Sequence, residues 1–166
     1  HDLADNLSRQ LELTLDDNQE QIDLRLRLAE LREAKLDETA AAVDTYREVL
    51  ELDPDNQPGT AALERLLELE DHQQAVAQIL EPIYRVRDDW QRLVGVLEIM
   101  VKHSLDPEEK IELLHQIGEL YEVAGDDSHQ AFLVYGRALE EEPSNDETQS
   151  RLERLARELG NWEELV

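Results

Sequence analysis

The stretch Leu24–Asn56, LRLRLAELREAKLDETAAAVDTYREVLELDPDN, is repeated 89 residues later as Leu113–Asn145, LLHQIGELYEVAGDDSHQAFLVYGRALEEEPSN. The two segments align without a gap, 11 of the 33 aligned pairs are identical, and Leu63–Leu66 recurs in the same register as Leu152–Leu155. Repetition at a fixed period is typical of repeat architectures, which build extended binding surfaces more often than catalytic centres. The sequence therefore predicts a repeat protein that holds another macromolecule.

The charge balance of the chain narrows the choice of partner. The 166 residues include 41 acidic and 16 basic side chains, which gives a formal net charge of −25. Nucleic-acid binding depends on Lys and Arg contacts to phosphate, so this composition argues against DNA, RNA and anionic membranes. The same field attracts basic partners, and its reach shortens as salt is added. Solubility is the alternative explanation for the acidic excess, and it stays open.

Cysteine content and hydropathy exclude several classes of site. The chain has no cysteine, which excludes disulfides, zinc–thiolate sites, thiol catalysis and iron–sulfur clusters. No apolar run reaches the ~20 residues that cross a bilayer, and no basic-then-apolar leader opens the chain. The compartment is undecided, with the cytoplasm slightly favoured. Both ends are expected to be cut from a longer array, in which blocks of about 1–87 and 90–166 recur.

Strong helix formers dominate the chain, and turn-forming residues divide it into about ten helices. The clearest helix start is Asp106–Glu109, where Asp can cap free amides, Pro107 suits the first turn and the acids suit the helix dipole. Apolar residues then recur at three- and four-residue steps, and a second such stripe follows a short turn, as in an antiparallel helix pair. The two stripes are Ile111, Leu114, Ile117, Leu120 and Tyr121, and then Ala131, Phe132, Tyr135, Ala138 and Leu139.

The spacing of these residues resembles a known family. In Leu114-x-x-Ile117-Gly118-x-x-Tyr121-x-x-x-Gly125, followed by Ala131-x-x-x-Tyr135-x-x-Ala138-x-x-x-x-Pro143, large, small and helix-ending residues follow the order of the tetratricopeptide repeat, with one extra residue in the turn before Ala131. The earlier copy keeps the pattern more loosely, with Arg25 and Arg32 where large hydrophobics are usual, and a degenerate third copy runs through Leu63, Leu66, Ala75, Ile79 and Pro82. The repeat positions are Ala29, Ala42, Tyr46, Pro54, Gly118, Tyr121, Gly125, Ala131, Tyr135, Ala138 and Pro143.

The resemblance implies an all-α fold in which residues 1–166 form one domain, an α-solenoid of stacked antiparallel helix pairs wound as a right-handed superhelix. Small residues such as Gly118 and Ala131 would let paired helices approach, while Tyr121 and Tyr135 would fill the wider spaces between them. Trp90 and Trp162 open a second recurring element and are expected to pack in the core. Five predicted helices recur as the next five. If inner and outer helices alternate regularly, a block with an odd number of helices would place equivalent helices on opposite faces of the array. Either one helix is an insertion or the array is locally irregular.

The resemblance also implies where a ligand binds, because the first helix of each tetratricopeptide pair lines a concave groove. Six of the eight matching positions are acidic. A groove lined by these acids would disfavour carboxylates, so it is predicted to bind a basic peptide or helical segment. The competing interpretation is that these acids are solvated residues of an exposed helix face. Capture of a C-terminal carboxylate is disfavoured because Lys, Arg and Asn are missing at the groove positions. The eight positions are Asp23, Leu26, Glu30, Glu33, Glu112, His115, Glu119 and Glu122.

Other charged motifs give weaker signals. Arg151, Arg154 and Arg157 form a stripe that is expected to pair within its helix, with acids such as Glu153 and Glu158. Asp53–Gly59 lacks the ligand phasing of a calcium loop and predicts an inter-repeat turn. No phosphate-binding loop or nucleophile motif is present.

The function predicted from the sequence is a non-catalytic protein–protein interaction scaffold with no metal or cofactor. The first alternative is a structural module that self-assembles through its terminal helices. A more distant alternative is a helical-bundle metalloenzyme, since Glu112-x-x-His115 has the spacing of a di-iron ligand pair, although such sites need two of these motifs and two further carboxylates.

Overall fold

The computed structural model describes residues 2–14, 18–34 and 38–160. Every regular element in these ranges is helical, so the predicted all-α class is confirmed, and the described ranges hold nine α-helices where the turn signals predict about ten. A short 3₁₀ turn, Glu70–His72, precedes the fifth helix. The helices are α1 (Asp2–Leu13), α2 (Asn18–Glu33), α3 (Thr39–Leu52), α4 (Gln57–Leu66), α5 (Gln73–Val86), α6 (Trp90–His103), α7 (Pro107–Val123), α8 (Ser128–Glu141) and α9 (Asp146–Leu159).

The chain divides into two compact units, His1–Ile83 and Tyr84–Val166, which are called unit 1 and unit 2 below. In unit 1, α1 packs on α2, α2 on α3 and α3 on α4. In unit 2, α6 packs on α7, α7 on α8 and α8 on α9. The shift of 89 residues places α2, α3 and α4 on α7, α8 and α9, so the sequence repeat is also a repeat of packed helices.

The core of unit 1 forms where the apolar stripes of α2 and α3 meet. Leu24 and Leu28 of α2 also hold α1 through Leu7. Arg25 and Arg32, which replace large hydrophobics of the tetratricopeptide pattern, bridge to α3. Arg25 Nε donates to Glu48 Oε2 at 2.9 Å, and Arg32 Nη1 donates to Thr45 Oγ1 at 2.6 Å. Polar bridges therefore replace apolar contacts along the edge of this pair.

In the core of unit 2, a small residue of α7 packs against a large residue of α8. A Cβ atom added to Gly118 would lie 2.4 Å from Cε1 of Tyr135, whose side chain is fully buried. Gly118 therefore lets α7 approach the tyrosine ring of α8. Trp90 is half-buried, and its ring meets Tyr121 edge-on at 5.9 Å between centroids. Trp162, the other predicted packing residue of this type, lies outside the described residues.

The helix starts follow the sequence signals. Asp106 caps α7 by accepting the Glu108 N–H at 3.0 Å, as predicted. Asn56 and Asn145 cap α4 and α9 in the same way, each accepting a backbone N–H three residues ahead at 2.9 Å. Asn56 also donates to Asp53, and Asn145 donates to Glu142. The predicted turn Asp53–Gly59 therefore consists of a capped turn, 53–56, and the start of α4, and unit 2 repeats it.

Candidate functional site

The eight predicted groove positions lie on α2 in unit 1 and on α7 in unit 2, and their surroundings divide them into four groups. Two glutamates are half-buried and bonded to neighbouring helices, and one histidine is buried. Leu26 is partly buried. The four exposed acids are Asp23, Glu30, Glu112 and Glu119.

Glu33, the first half-buried glutamate, joins three helices of unit 1. The Tyr46 hydroxyl of α3 donates to Glu33 Oε2 at 2.8 Å, and Arg65 Nη2 of α4 donates to Glu33 Oε1 at 3.0 Å. Burial, followed by the hydrogen bond to this carboxylate, raises the pKa of Tyr46 well above its ordinary value. The phenol therefore remains a hydrogen-bond donor, and Glu33 is committed to intramolecular contacts.

Glu122 forms the equivalent Tyr–Glu–Arg triad in unit 2. The Tyr135 hydroxyl of α8 donates to Glu122 Oε1 at 2.8 Å, and Arg154 Nη2 of α9 donates to Glu122 Oε2 at 2.6 Å. Each member lies 89 residues after its counterpart in unit 1. Burial and the glutamate again raise the pKa of the tyrosine. The repeat therefore reproduces a polar junction as well as apolar positions.

The arginine stripe of α9 pairs within its helix as predicted and also reaches neighbouring helices. Arg154 lies 3.3 Å from Glu158, and Arg157 lies 3.4 Å from Glu153. Arg154 additionally holds Glu122, which the helical spacing alone did not predict. A signal was present in the sequence, because the repeated segments Leu63–Leu66 and Leu152–Leu155 carry the two triad arginines at equal positions.

Arg151 organises a second cluster, which is confined to unit 2. Its Nη2 atom lies 2.8 Å from Glu119 of α7 and 2.7 Å from Glu147 of α9. Its Nη1 atom donates to the Tyr135 hydroxyl at 3.0 Å, and its guanidinium lies 5.3 Å from the centre of that ring. Ala62 occupies the equivalent position in α4. Unit 1 therefore has no arginine where unit 2 neutralises Glu119.

His115 lies beside this cluster and is buried. Its Nε2 atom is 2.7 Å from Thr148 Oγ1, and its ring meets Tyr135 edge-on at 5.7 Å. Because the Thr148 hydroxyl donates to Asn145 Oδ1, we assign the proton of the first bond to His115 Nε2. Burial lowers the pKa of His115 and nearby Arg151 lowers it further, while Glu147 and Glu119 oppose the shift. The ring is therefore a neutral packing group that faces away from any ligand on the exposed side of α7.

This environment predicts a pH dependence of stability. Above the ordinary histidine pKa of 6.5, the side chain is neutral in both the folded and the unfolded chain. As the pH falls below that value, the unfolded histidine takes up a proton before the folded one does, so the free energy of unfolding decreases toward the lowered folded pKa. His115→Leu introduces the residue type found at the equivalent position of unit 1, Leu26. In this variant the free energy of unfolding should decrease less as the pH falls below 6.5.

The measurement is urea denaturation of the unsubstituted protein and the variant at a series of pH values below 6.5. His129→Gln, at an exposed histidine of α8, is the matched control. An unchanged slope in His115→Leu would show that His115 does not carry the effect.

Metal ligands do not gather around Glu112 and His115 in the described part of the chain. There, no group of three or more His, Asp or Glu side chains is placed to hold a metal ion. Glu112 is exposed, whereas His115 is buried against Thr148. The two residues therefore point to different environments despite their three-residue spacing.

The exposed acids differ in their pairing. Asp23 accepts a hydrogen bond from Gln19 Nε2 at 3.2 Å, and it forms no ion pair within the described ranges. Glu30 and Glu112 also lack a cation partner in these ranges, whereas Glu119 is held by Arg151. Asp23 and Glu30 are seven residues apart on α2, which places them on one face about 10 Å apart along the helix axis.

Comparison of this chain with protein-family models and with curated proteins finds no match. The tetratricopeptide resemblance therefore stays a prediction from the residues quoted above. None of the helices in the described ranges combines the length and the apolar character that crossing a bilayer requires.

Proposed function

We propose that this chain is a non-catalytic protein–protein interaction scaffold, a solenoid of stacked helix pairs of the tetratricopeptide type, which binds a basic segment of another protein. The observation that carries the proposal is the pair of exposed acids Asp23 and Glu30, which have no cation partner within the described residues. A basic ligand would supply cation partners for these two acids, and the net charge of −25 would speed its approach.

The spacing of the two acids defines the ligand further. In a peptide with the polyproline II conformation, residues advance about 3.1 Å each and every third side chain returns to the same face, so side chains three positions apart match the separation of about 10 Å on α2. The preferred ligand is therefore a polyproline II segment with Lys or Arg at positions i and i+3. Unit 2 offers a weaker version of this surface, because Arg151 already neutralises Glu119 and leaves Glu112 as the exposed acid on that face.

The scaffold role is supported by how α2 is held. The Glu33 triad ties α2 to α3 and α4, and Arg25 and Arg32 add further bonds to α3. A rigid receptor loses little conformational entropy when it binds, so modest charge contacts can produce measurable affinity.

The test is fluorescence anisotropy with a labelled peptide that carries two arginines at i and i+3. Asp23→Asn combined with Glu30→Gln should weaken binding by about two- to thirtyfold, because each of the two exposed ion pairs contributes about 0.2–1 kcal/mol. Affinity should also fall steeply from low to high salt. A peptide with the two arginines adjacent should bind more weakly than the i, i+3 peptide.

The matched control is Glu12→Gln combined with Glu68→Gln, two exposed acids of unit 1 that lie outside the predicted groove. This double variant changes the net charge by the same amount. Comparing the two double variants therefore separates the effect of a local contact from the effect of the overall negative charge of the protein. Equal losses in the two double variants, or binding that ignores salt, would contradict the proposal.

The alternative function is self-assembly through the terminal helices. It is favoured by α1, where Leu3 and Leu13 are 60% and 80% exposed. Light scattering separates the two functions, because a scaffold of the proposed kind keeps the mass of one chain as its concentration rises, whereas a self-assembling module does not.

A further inference from the structure

Unit 1 contains an open cleft between α3 and α5, called the α3–α5 cleft below, with a volume of about 350 Å³. This volume lies at the lower end of the range that is usual for small-molecule sites. Five of the eight lining residues are apolar, and four of these five come from α5. The apolar residues are Leu50, Ala75, Ile79, Pro82 and Ile83.

One acid of the lining has no cation partner. Glu51 is exposed on α3 and forms no ion pair within the described ranges. Arg47, which lies one turn before Glu51 and also lines the cleft, is bonded to Asp44 instead. The cleft therefore offers a carboxylate to a cation, and apolar walls to the rest of a ligand that carries this cation.

Pro82 gives the cleft a second hydrogen-bond acceptor. It lies inside α5 and has no N–H, so it cannot donate the bond that the Gln78 carbonyl accepts in a regular α-helix. This carbonyl points along the helix from Gln78 toward Pro82, and both residues line the cleft. Proline is the least favourable residue in the interior of a helix. Such departures from local structural preference are expected at functional sites, where the stability that is lost serves binding.

We infer that the α3–α5 cleft binds a small organic amine, with its primary ammonium between Glu51 and the Gln78 carbonyl and its aliphatic or aromatic body against Leu50 and Ile79. A protein segment fits less well, because the eight lining residues are far fewer than the about 20–30 that each partner contributes to a specific interface. The site is independent of the basic-segment surface proposed for α2.

The probe is a butylamine with a para-fluorophenyl group at the far end of its chain, titrated with the protein and followed by fluorine NMR. We expect saturable binding with a dissociation constant of about 1 mM or lower. The same molecule with a carboxylate in place of the ammonium should bind about tenfold more weakly or not at all. Glu51 repels this carboxylate, and Arg47 is already held by Asp44.

Matched pairs of variants locate the probe. Glu51→Gln should weaken binding of the amine by about two- to fivefold, as expected for one exposed ion pair. Glu68→Gln, at an exposed acid of unit 1 outside the cleft, changes the net charge equally and should have a smaller effect. Ala75→Leu places a larger side chain at an exposed position of the lining and should also weaken binding. Gln74→Leu, at the exposed neighbouring position outside the lining, should leave binding unchanged.

Pro82→Ala tests the second acceptor. Alanine restores the N–H that bonds to the Gln78 carbonyl, so this variant should melt at a higher temperature and bind the amine about threefold more weakly. A trimethylammonium form of the probe keeps the charge but has no N–H to donate. The ratio of its dissociation constant to that of the primary amine should therefore be smaller in Pro82→Ala than in the unsubstituted protein. A proline that only shapes the cleft would leave this ratio unchanged.

Circular dichroism establishes that each variant is folded before binding is measured. The inference is overturned if no saturable binding occurs, if the amine and the carboxylate bind alike, or if Glu51→Gln and Glu68→Gln cause equal losses. It is also overturned if the basic peptide used to test the α2 surface displaces the probe, because the cleft would then belong to a protein-binding surface.

Discussion

Replacing Gly118 with alanine is expected to lower the free energy of unfolding of unit 2 by about 1–3 kcal/mol, although alanine is the better helix former. The added methyl carbon would lie 2.4 Å from Cε1 and 2.5 Å from Cζ of the Tyr135 ring. That ring is fully buried, and its hydroxyl is fixed by Glu122 and Arg151, so it cannot move aside without breaking these bonds. Urea denaturation followed by circular dichroism measures the loss.

Gly136→Ala is the matched control, because the two glycines lie on neighbouring helices of one unit. A Cβ at Gly136 meets open space, so the gain in helix propensity should stabilise the protein by about 0.5–1 kcal/mol. The two substitutions are chemically identical and should have opposite signs. A stabilising effect of both would mean that Tyr135 yields easily and that the helix contact is loose. Unit 1 has Ala29 at the position of Gly118, so the close approach is a property of α7 and α8 and not of the repeat as such.

Glu122→Ala is expected to have a comparably large effect, about 1.5–3 kcal/mol, because hydrogen bonds to charged groups are removed inside the fold. The change leaves the Tyr135 hydroxyl proton without its acceptor and leaves Arg154 with Glu158 alone. Glu33→Ala should produce a similar loss in unit 1, since Glu33 accepts from Tyr46 and Arg65. Thermal and urea unfolding of each variant measure these losses.

Glu119→Ala is the control for the triad substitution. Glu119 is a half-exposed acid on the same helix as Glu122, and it is paired with Arg151 of α9; exposed ion pairs contribute only about 0.2–1 kcal/mol. The loss in the free energy of unfolding for Glu122→Gln should lie between the losses for Glu119→Ala and Glu122→Ala. The amide oxygen can still accept from Tyr135, but the negative charge is lost. Similar losses for Glu119→Ala and Glu122→Ala would show that the triad is no more than a surface ion pair.

The helices and their contacts in sequence order were predictable because they depend on local patterns. The Asp106 cap, the turn at Asn56 and the apolar stripes of α7 and α8 follow from residue type and from spacing of three or four residues. The repeat of 89 residues allowed most positions to be compared with an equivalent position in the other copy. Features present in both copies could then be distinguished from features of one copy.

The groove candidates were harder to interpret, because helical periodicity gives the face of a residue and not its depth. Glu33 and Glu122 lie on the predicted face, yet each is held by side chains from two other helices. Glu119 is neutralised by Arg151 of α9, whereas the equivalent residue for Glu30 is Ala62 of α4. The sequence pattern of a single helix does not contain this information. The burial of His115 did have a signal, since the equivalent position in the other copy is Leu26.

The triads set the size of the smallest piece of this protein that can be moved intact. Each glutamate needs a phenol from the next helix and a guanidinium from the helix after that, so a two-helix hairpin cut from either unit would keep its glutamate and lose its cation. An engineer who shortens, lengthens or recombines this chain should therefore exchange three consecutive helices, or whole blocks of 89 residues, and place the joints in the turns outside them. A chain cut between α3 and α4, or between α8 and α9, should lose the arginine of its triad and fold poorly.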